Sequence, residues 1–82
     1  MINYNYIKQR LKAKGFKLSE VAKLLGVQYQ TLNKNLHAGS LETVKKISDA
    51  TGLHFMELLT PPEGYMHSDD PMTNEWSGVI KK

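Results

Sequence analysis

The chain has 82 residues, no cysteine and a formal net charge of +3. That leaves room for one domain with a modest core, held by helical packing or a partner subunit rather than by disulfides or thiolate-bound metal. No apolar stretch approaches the ~20 residues of a membrane helix, and Met1-Ile2-Asn3-Tyr4-Asn5-Tyr6 has no leader-like character. The expectation is a soluble, cytoplasmic protein.

Apolar spacing follows the helical period through most of the chain. Tyr4, Ile7 and Leu11 share one face of a first helix, which Gly15 ends. Val21, Ala22, Leu24 and Leu25 form a short second helix closed by Gly26. Leu32 and Leu36 lie four apart on a third, over about Tyr29 to His37. Ser40 is suited to N-cap a fourth helix carrying Leu41, Val44 and Ile47, with Gly52 as its stop. Leu53, Phe55, Met56, Leu58 and Leu59 read as a short apolar last helix, and Pro61-Pro62 forbids its continuation. No sustained period-2 run interrupts this body. The expected fold is all-α: a compact bundle of five short helices over residues 1–60, with a C-terminal tail over 61–82.

The tail is polar but carries Tyr65, Met66, Met72, Trp76, Val79 and Ile80, too many apolar groups for a purely solvating linker. Trp76 to Ile80 reads either as a short strand, pairing with a partner or docking on the body, or as an unstructured terminus. A partly ordered tail is the reading taken. Charge divides at the same boundary. Residues 1–59 carry nine Lys/Arg against four acids, and residues 60–82 carry two lysines against four acids. A basic body suits a polyanion, since lysines release condensed counterions from phosphates, although the same charge also serves solubility.

The informative spacing is Ala22, then Gly26 four on, then Leu32 six beyond. Two helices crossing steeply need a small residue at the crossing and a residue tolerant of positive φ at the reversal. Val21, Leu25, Val27 and Leu32 are apolar where the helices would face each other. The string from Lys14 to Val27, continued by Gln30-Thr31-Leu32, Leu41 to Ile47 and Gly52-Leu53, resembles the lambda-repressor-like (Cro/repressor, XRE-type) helix-turn-helix family. The resemblance covers roughly residues 4–60.

The resemblance implies that the third helix enters the major groove of double-stranded DNA. Its exposed Gln28, Tyr29, Gln30, Asn33 and Lys34 become the base-reading candidates, since amides suit adenine and lysine suits guanine acceptors. Lys17, Lys14, Ser19, Thr31 and His37 become the phosphate candidates, with Lys12, Lys34, Lys45 and Lys46 in reserve. A homodimer follows from the short footprint of one recognition helix, with Phe55, Met56 and Leu59 of the last helix as its surface or as core closure. The chain departs from the family where Leu18 replaces a usual glutamine, Lys17 a usual capping Ser or Thr, and Asn35 a usual apolar residue. The loop His37-Ala38-Gly39-Ser40 is not basic. These departures keep open a protein-interaction or antitoxin-like module that retains the fold without reading bases.

No enzyme is read here. The sequence shows no nucleophile elbow, phosphate-cradling glycine loop or paired catalytic carboxylate, and His37, His54 and His67 lack metal-ligand spacing. No small-molecule cofactor is implied. Single-stranded RNA binding would need an exposed aromatic platform that the sequence does not offer.

Overall fold

Four α-helices lead the chain in the computed structural model, which describes residues 2–82. They are α1 Tyr4–Ala13, α2 Leu18–Leu25, α3 Tyr29–His37 and α4 Leu41–Thr51. A single 3-10 turn, Phe55–Leu58, follows them. The chain then forms an antiparallel hairpin of β1 Tyr65–Asp69 and β2 Trp76–Lys81. The fold is therefore α+β, and the expected all-α bundle of five helices is corrected in two places.

The first correction is the fifth helix. Gly52, at φ 75°, ends α4 in the left-handed region, and Pro61-Pro62 pushes the chain towards extended geometry soon after. Only one turn fits between them. Reciprocal caps hold it: the Met56 N–H donates to His54 Nδ1 at 3.1 Å, and the His54 N–H donates to Glu57 Oε2 at 3.2 Å. Leu58 is buried in the core, Phe55 and Leu59 pack against it, and Met56 stays exposed.

The second correction is the sheet. Tyr65 pairs with Lys81, Met66 with Ile80, His67 with Val79, Ser68 with Gly78 and Asp69 with Trp76, with an irregularity between Ser68 and Asp69. Asp69 and Asp70, in the segment expected to be a partly ordered tail, both have fixed places. The Asp70 side chain accepts from the Met72 N–H at 2.8 Å, and the Asp70 N–H donates to the Glu75 carbonyl at 2.8 Å. An Asx-type bond of this kind organises a turn without any help from hydrophobic period. The sequence pattern gives no sign of β1, because Tyr-Met-His-Ser-Asp alternates neither in apolarity nor in burial, whereas Trp76 to Ile80 is open to reading as a strand.

The helical body follows its sequence signals closely. Ile7, Leu11, Leu18, Val21, Ala22, Leu32, Leu36, Val44, Ile47 and Leu58 form one buried cluster. Ser40 caps α4 by accepting from the Thr43 N–H at 3.2 Å. Gly26 ends α2 at φ 70°, a conformation that costs an L-residue about 1–2 kcal/mol. Ala22 is 2% exposed beneath the following turn. Leu25 is only half-buried, and Val27, expected at the inter-helix contact, is exposed. Leu18 is buried, which explains its departure from the glutamine usual there: the side chain serves the core.

One helix connects the two parts of the molecule. Along α1, Ile7 and Leu11 point into the core. At 100° per residue, Tyr4, Lys8 and Lys12 lie on one flank of that stripe, and Tyr6, Arg10 and Lys14 lie on the other. The first flank meets α3 and the start of α2, while the second meets the 3-10 turn and the hairpin.

Candidate nucleic-acid interface

The exposed surface of α3 begins at Gln28, the residue that precedes the helix. Gln28 is extended and makes no side-chain cap bond among the described residues, so the first N–H groups of α3 have no side-chain cap from it. Gln30, Thr31 and Lys34 are exposed on the helix, while Leu32 and Leu36 are buried beneath it. This alternation follows from the 3.6-residue period, which puts the two leucines on one face and the polar residues on the other.

Tyr29, Asn33 and His37 form a separate stripe, spaced one turn apart and tied to α1. The Tyr4 hydroxyl donates to Asn33 Oδ1 at 3.0 Å. The Tyr4 ring stacks on His37 with centroids 4.0 Å apart and planes 20° from parallel. The polar side chains of Asn33 first, and of Tyr4 second, hold the Tyr29 hydroxyl below the ordinary tyrosine range. Tyr4 moves the other way, raised chiefly by burial. Asn33 is half-buried, whereas Tyr29 is exposed.

Beside this stripe lies an open cleft of about 370 Å³, lined by Lys8, Lys12, Phe16, Lys17, Leu18, Ser19 and Tyr29. Three ammonium groups therefore share one concavity with the N-terminus of α2. Lys17 precedes that helix without a side-chain cap bond among the described residues, leaving its first N–H groups available to an anion. Lys17 and Ser19 are phosphate candidates from sequence, with Lys12 in reserve, and the cleft adds Lys8 to them. The signal for Lys8 was its spacing of four from both Tyr4 and Lys12, which puts all three on one flank of α1.

Lys14 sits elsewhere. Its ammonium lies 3.1 Å from Asp69 Oδ1 and 3.9 Å from Glu57 Oε1, and also donates to the Asn74 carbonyl. Its side chain is 5% exposed. Arg10 joins the same cluster, binding both Asp69 oxygens through its two terminal nitrogens, with Nη1 at 3.1 Å from Oδ2. Its Nε lies 3.5 Å from Glu57 Oε1. Burial alone would raise the Asp69 carboxyl, but hydrogen bonds from Arg10 and Lys14 outweigh it and hold the group below the usual carboxylate range.

The hairpin is anchored by rings as well as charges. The Trp76 indole N–H donates to His67 Nδ1 at 2.9 Å. Because indole is only a donor, His67 must accept at Nδ1 and donate from Nε2 to the Leu59 carbonyl, 2.7 Å away. Trp76 also stacks on His54, with centroids 4.5 Å apart.

The helix pair α2–α3, its Gly26 turn and the exposed α3 surface form a helix-turn-helix unit with a basic cleft at its side. Residues 6–63, more than half of the chain, match the family of Cro/C1-type HTH DNA-binding domains. The chain belongs to that family. Neither a curated protein nor a solved structure matches it. Membership in the Cro/C1-type family makes DNA the partner class for this domain, and it identifies α3 as the element to test for groove contact. No helix among the described residues is long and apolar enough to cross a membrane.

Proposed function

We propose that this Cro/C1-type domain is a transcriptional regulator that binds specific double-stranded DNA sequences as a homodimer. The observation that carries the reading is the juxtaposition of the exposed α3 face with the three-lysine cleft. Gln28, Gln30 and Lys34 are the base readers: the amides pair bidentately with adenine, and the ammonium reaches guanine acceptors. Lys8, Lys12, Lys17, Ser19 and Thr31 hold phosphates on either side and fix the register. Lys14 takes no part, because its charge is spent on Asp69 and Glu57. His37, stacked on Tyr4, supports the helix rather than a phosphate.

A single recognition helix reads few base pairs, so two copies on half-sites ~34 Å apart or a multiple of that would give useful specificity. Met56 and the outward, cross-strand pair Met66 and Ile80 supply exposed apolar surface for the second copy. Selection of bound duplexes from a random pool tests the whole reading. The expected result is a two-fold symmetric site, with preference relaxed at one position by Gln30→Ala and at another by Lys34→Ala. A chain that retains no duplex even at low salt would instead be an interaction module that keeps the fold alone. A monomer in sedimentation, both free and on a palindromic duplex, would refute the dimer.

A further inference from the structure

The body holds α3 in two different ways. Leu32 and Leu36 are buried beneath it, and apolar burial has no preferred direction. Tyr4 holds the flank of α3, and its contacts are directional. Its hydroxyl donates to Asn33 Oδ1 at 3.0 Å, and its ring stacks on His37 with centroids 4.0 Å apart. Asn33 and His37 lie four apart, so one side chain spans a full turn of α3 on a single stripe. Tyr4 is itself well placed to act as a fixed point. It is the first residue of α1, whose start Asn3 caps by accepting from the Tyr6 N–H at 3.0 Å, and it packs against the buried cluster.

The position of this contact on the helix gives it a consequence. At about 100° per residue, Gln30 and Lys34 lie on the side of Asn33 and His37 that faces away from the two leucines. The Tyr4 contacts therefore stand between the buried face of α3 and its exposed one. Side chains reach about 5–6 Å from a helix axis, so a roll of about 20° would move Gln30 and Lys34 by about 2 Å. An N–H···O bond holds over only roughly 0.5 Å, so a roll of that size would undo base contacts. We propose that Tyr4 is a positioning residue for DNA recognition: by bridging Asn33 and His37 it fixes the roll of α3, and so aims Gln30 and Lys34 without touching DNA itself. The proposal rests on the DNA-binding reading above and adds to it a residue outside the helix-turn-helix. Asn33, half-buried and bonded to Tyr4, serves the brace rather than a base.

The test uses the full chain at a temperature where every variant is folded, with the selected duplex and several unrelated ones. Tyr4→Phe keeps the ring on His37 and removes only the bond. The preference for the selected duplex over the others should fall roughly five- to tenfold, the size of one hydrogen bond. Retention of unrelated duplexes and the salt slope should not change, because the phosphate contacts remain. A residue that only stabilised the fold would lower the melting midpoint and leave this ratio alone. Tyr4→Leu, which also removes the stack, should lower the ratio further. Tyr4→Phe combined with Asn33→Leu replaces the bonded pair by an apolar one and should recover most of the preference. If the combined variant instead loses selectivity at one base position, Asn33 reads DNA and the proposal is wrong. Equal weakening on every duplex in Tyr4→Phe would make Tyr4 a phosphate contact and also refute it. An unchanged ratio in Tyr4→Phe, on a duplex that the wild type selects, refutes this proposal alone. A wild-type chain that retains no duplex refutes it together with the DNA reading.

Discussion

The two flanks of α1 carry nearly the same residues and do opposite work. Tyr4, Lys8 and Lys12 form one flank, and Tyr6, Arg10 and Lys14 the other, each an aromatic followed by two cations at intervals of four. On the first flank, neither lysine has a carboxylate within ion-pair distance among the described residues, and they open onto a cleft beside α3. On the second, Glu57 and Asp69 close over the cations and dock the hairpin. Positive charge on a helix is therefore left open to solvent or made a fastener according to what the rest of the chain brings to it. Here the fastener is supplied from more than 40 residues away.

Removing the acid at the centre of the fastener should break the comparison most severely. Glu57 is 2% exposed, faces both Arg10 and Lys14, and also caps the 3-10 turn. Glu57→Ala leaves Arg10 and Lys14 to share Asp69 alone, so the loss should be about 3 kcal/mol, the low end for a buried pair that loses one partner. For a domain of this size the melting midpoint should fall by on the order of 10–20 °C. A fall of only a degree or two in calorimetry would show that the cluster contributes little.

The hairpin's aromatic anchor comes next. Trp76→Ala removes the indole bond to His67 and the stack on His54. A loss of about 2 kcal/mol is expected from one buried hydrogen bond and one ring contact. Amide exchange should speed up across β1 and β2 while α2 and α3 stay protected, because the helical core does not include Trp76. Equal loosening of α3 would show that the two flanks are not separable.

Gly26 tests the other side. Gly26→Ala meets no atom within 4 Å, so its cost is backbone strain alone at φ 70°. Denaturant unfolding should report about 1–2 kcal/mol of destabilisation. An unchanged midpoint would mean that the turn relaxes without strain.

Acid should release the hairpin with a smaller effect. The Asp69 carboxyl is depressed in the folded chain, burial being outweighed by Arg10 and Lys14, so folding favours its ionised form. That contribution is complete above the unfolded carboxyl value of about 4, and it is lost as pH falls through the lower folded value. Trp76 fluorescence should follow the loss, and Asp69→Asn should remove the dependence. A titration identical in Asp69→Asn would assign it to another carboxyl.

How much of this was legible depends on whether the cause is local. Gly26 and Ser40 announce a turn and a cap because the bonds they make or permit lie within four residues. The division of α1 into two flanks also follows from spacing alone. What filled each flank did not, since Lys12 and Lys14 are indistinguishable until the partners of Lys14, 43 and 55 residues later in the chain, are in place. Leu18, which departs from a usual glutamine, is a core residue, and its burial was not read from the sequence. The bond that ties Asn33 to Tyr4 was not legible, because it crosses 29 residues. Residues whose partners are distant in sequence are the ones whose surroundings the sequence does not reveal.

The most direct test of the two-flank account compares Lys12→Ala with Lys14→Ala in duplex binding across a range of salt. Lys12→Ala should lower the slope of log affinity against log salt by about 0.9, the value for one lost phosphate contact, and leave hairpin protection intact. Lys14→Ala should leave the slope unchanged and accelerate exchange in β1 and β2. If Lys14→Ala lowers the slope as Lys12→Ala does while the hairpin stays protected, the second flank faces DNA and the account is wrong.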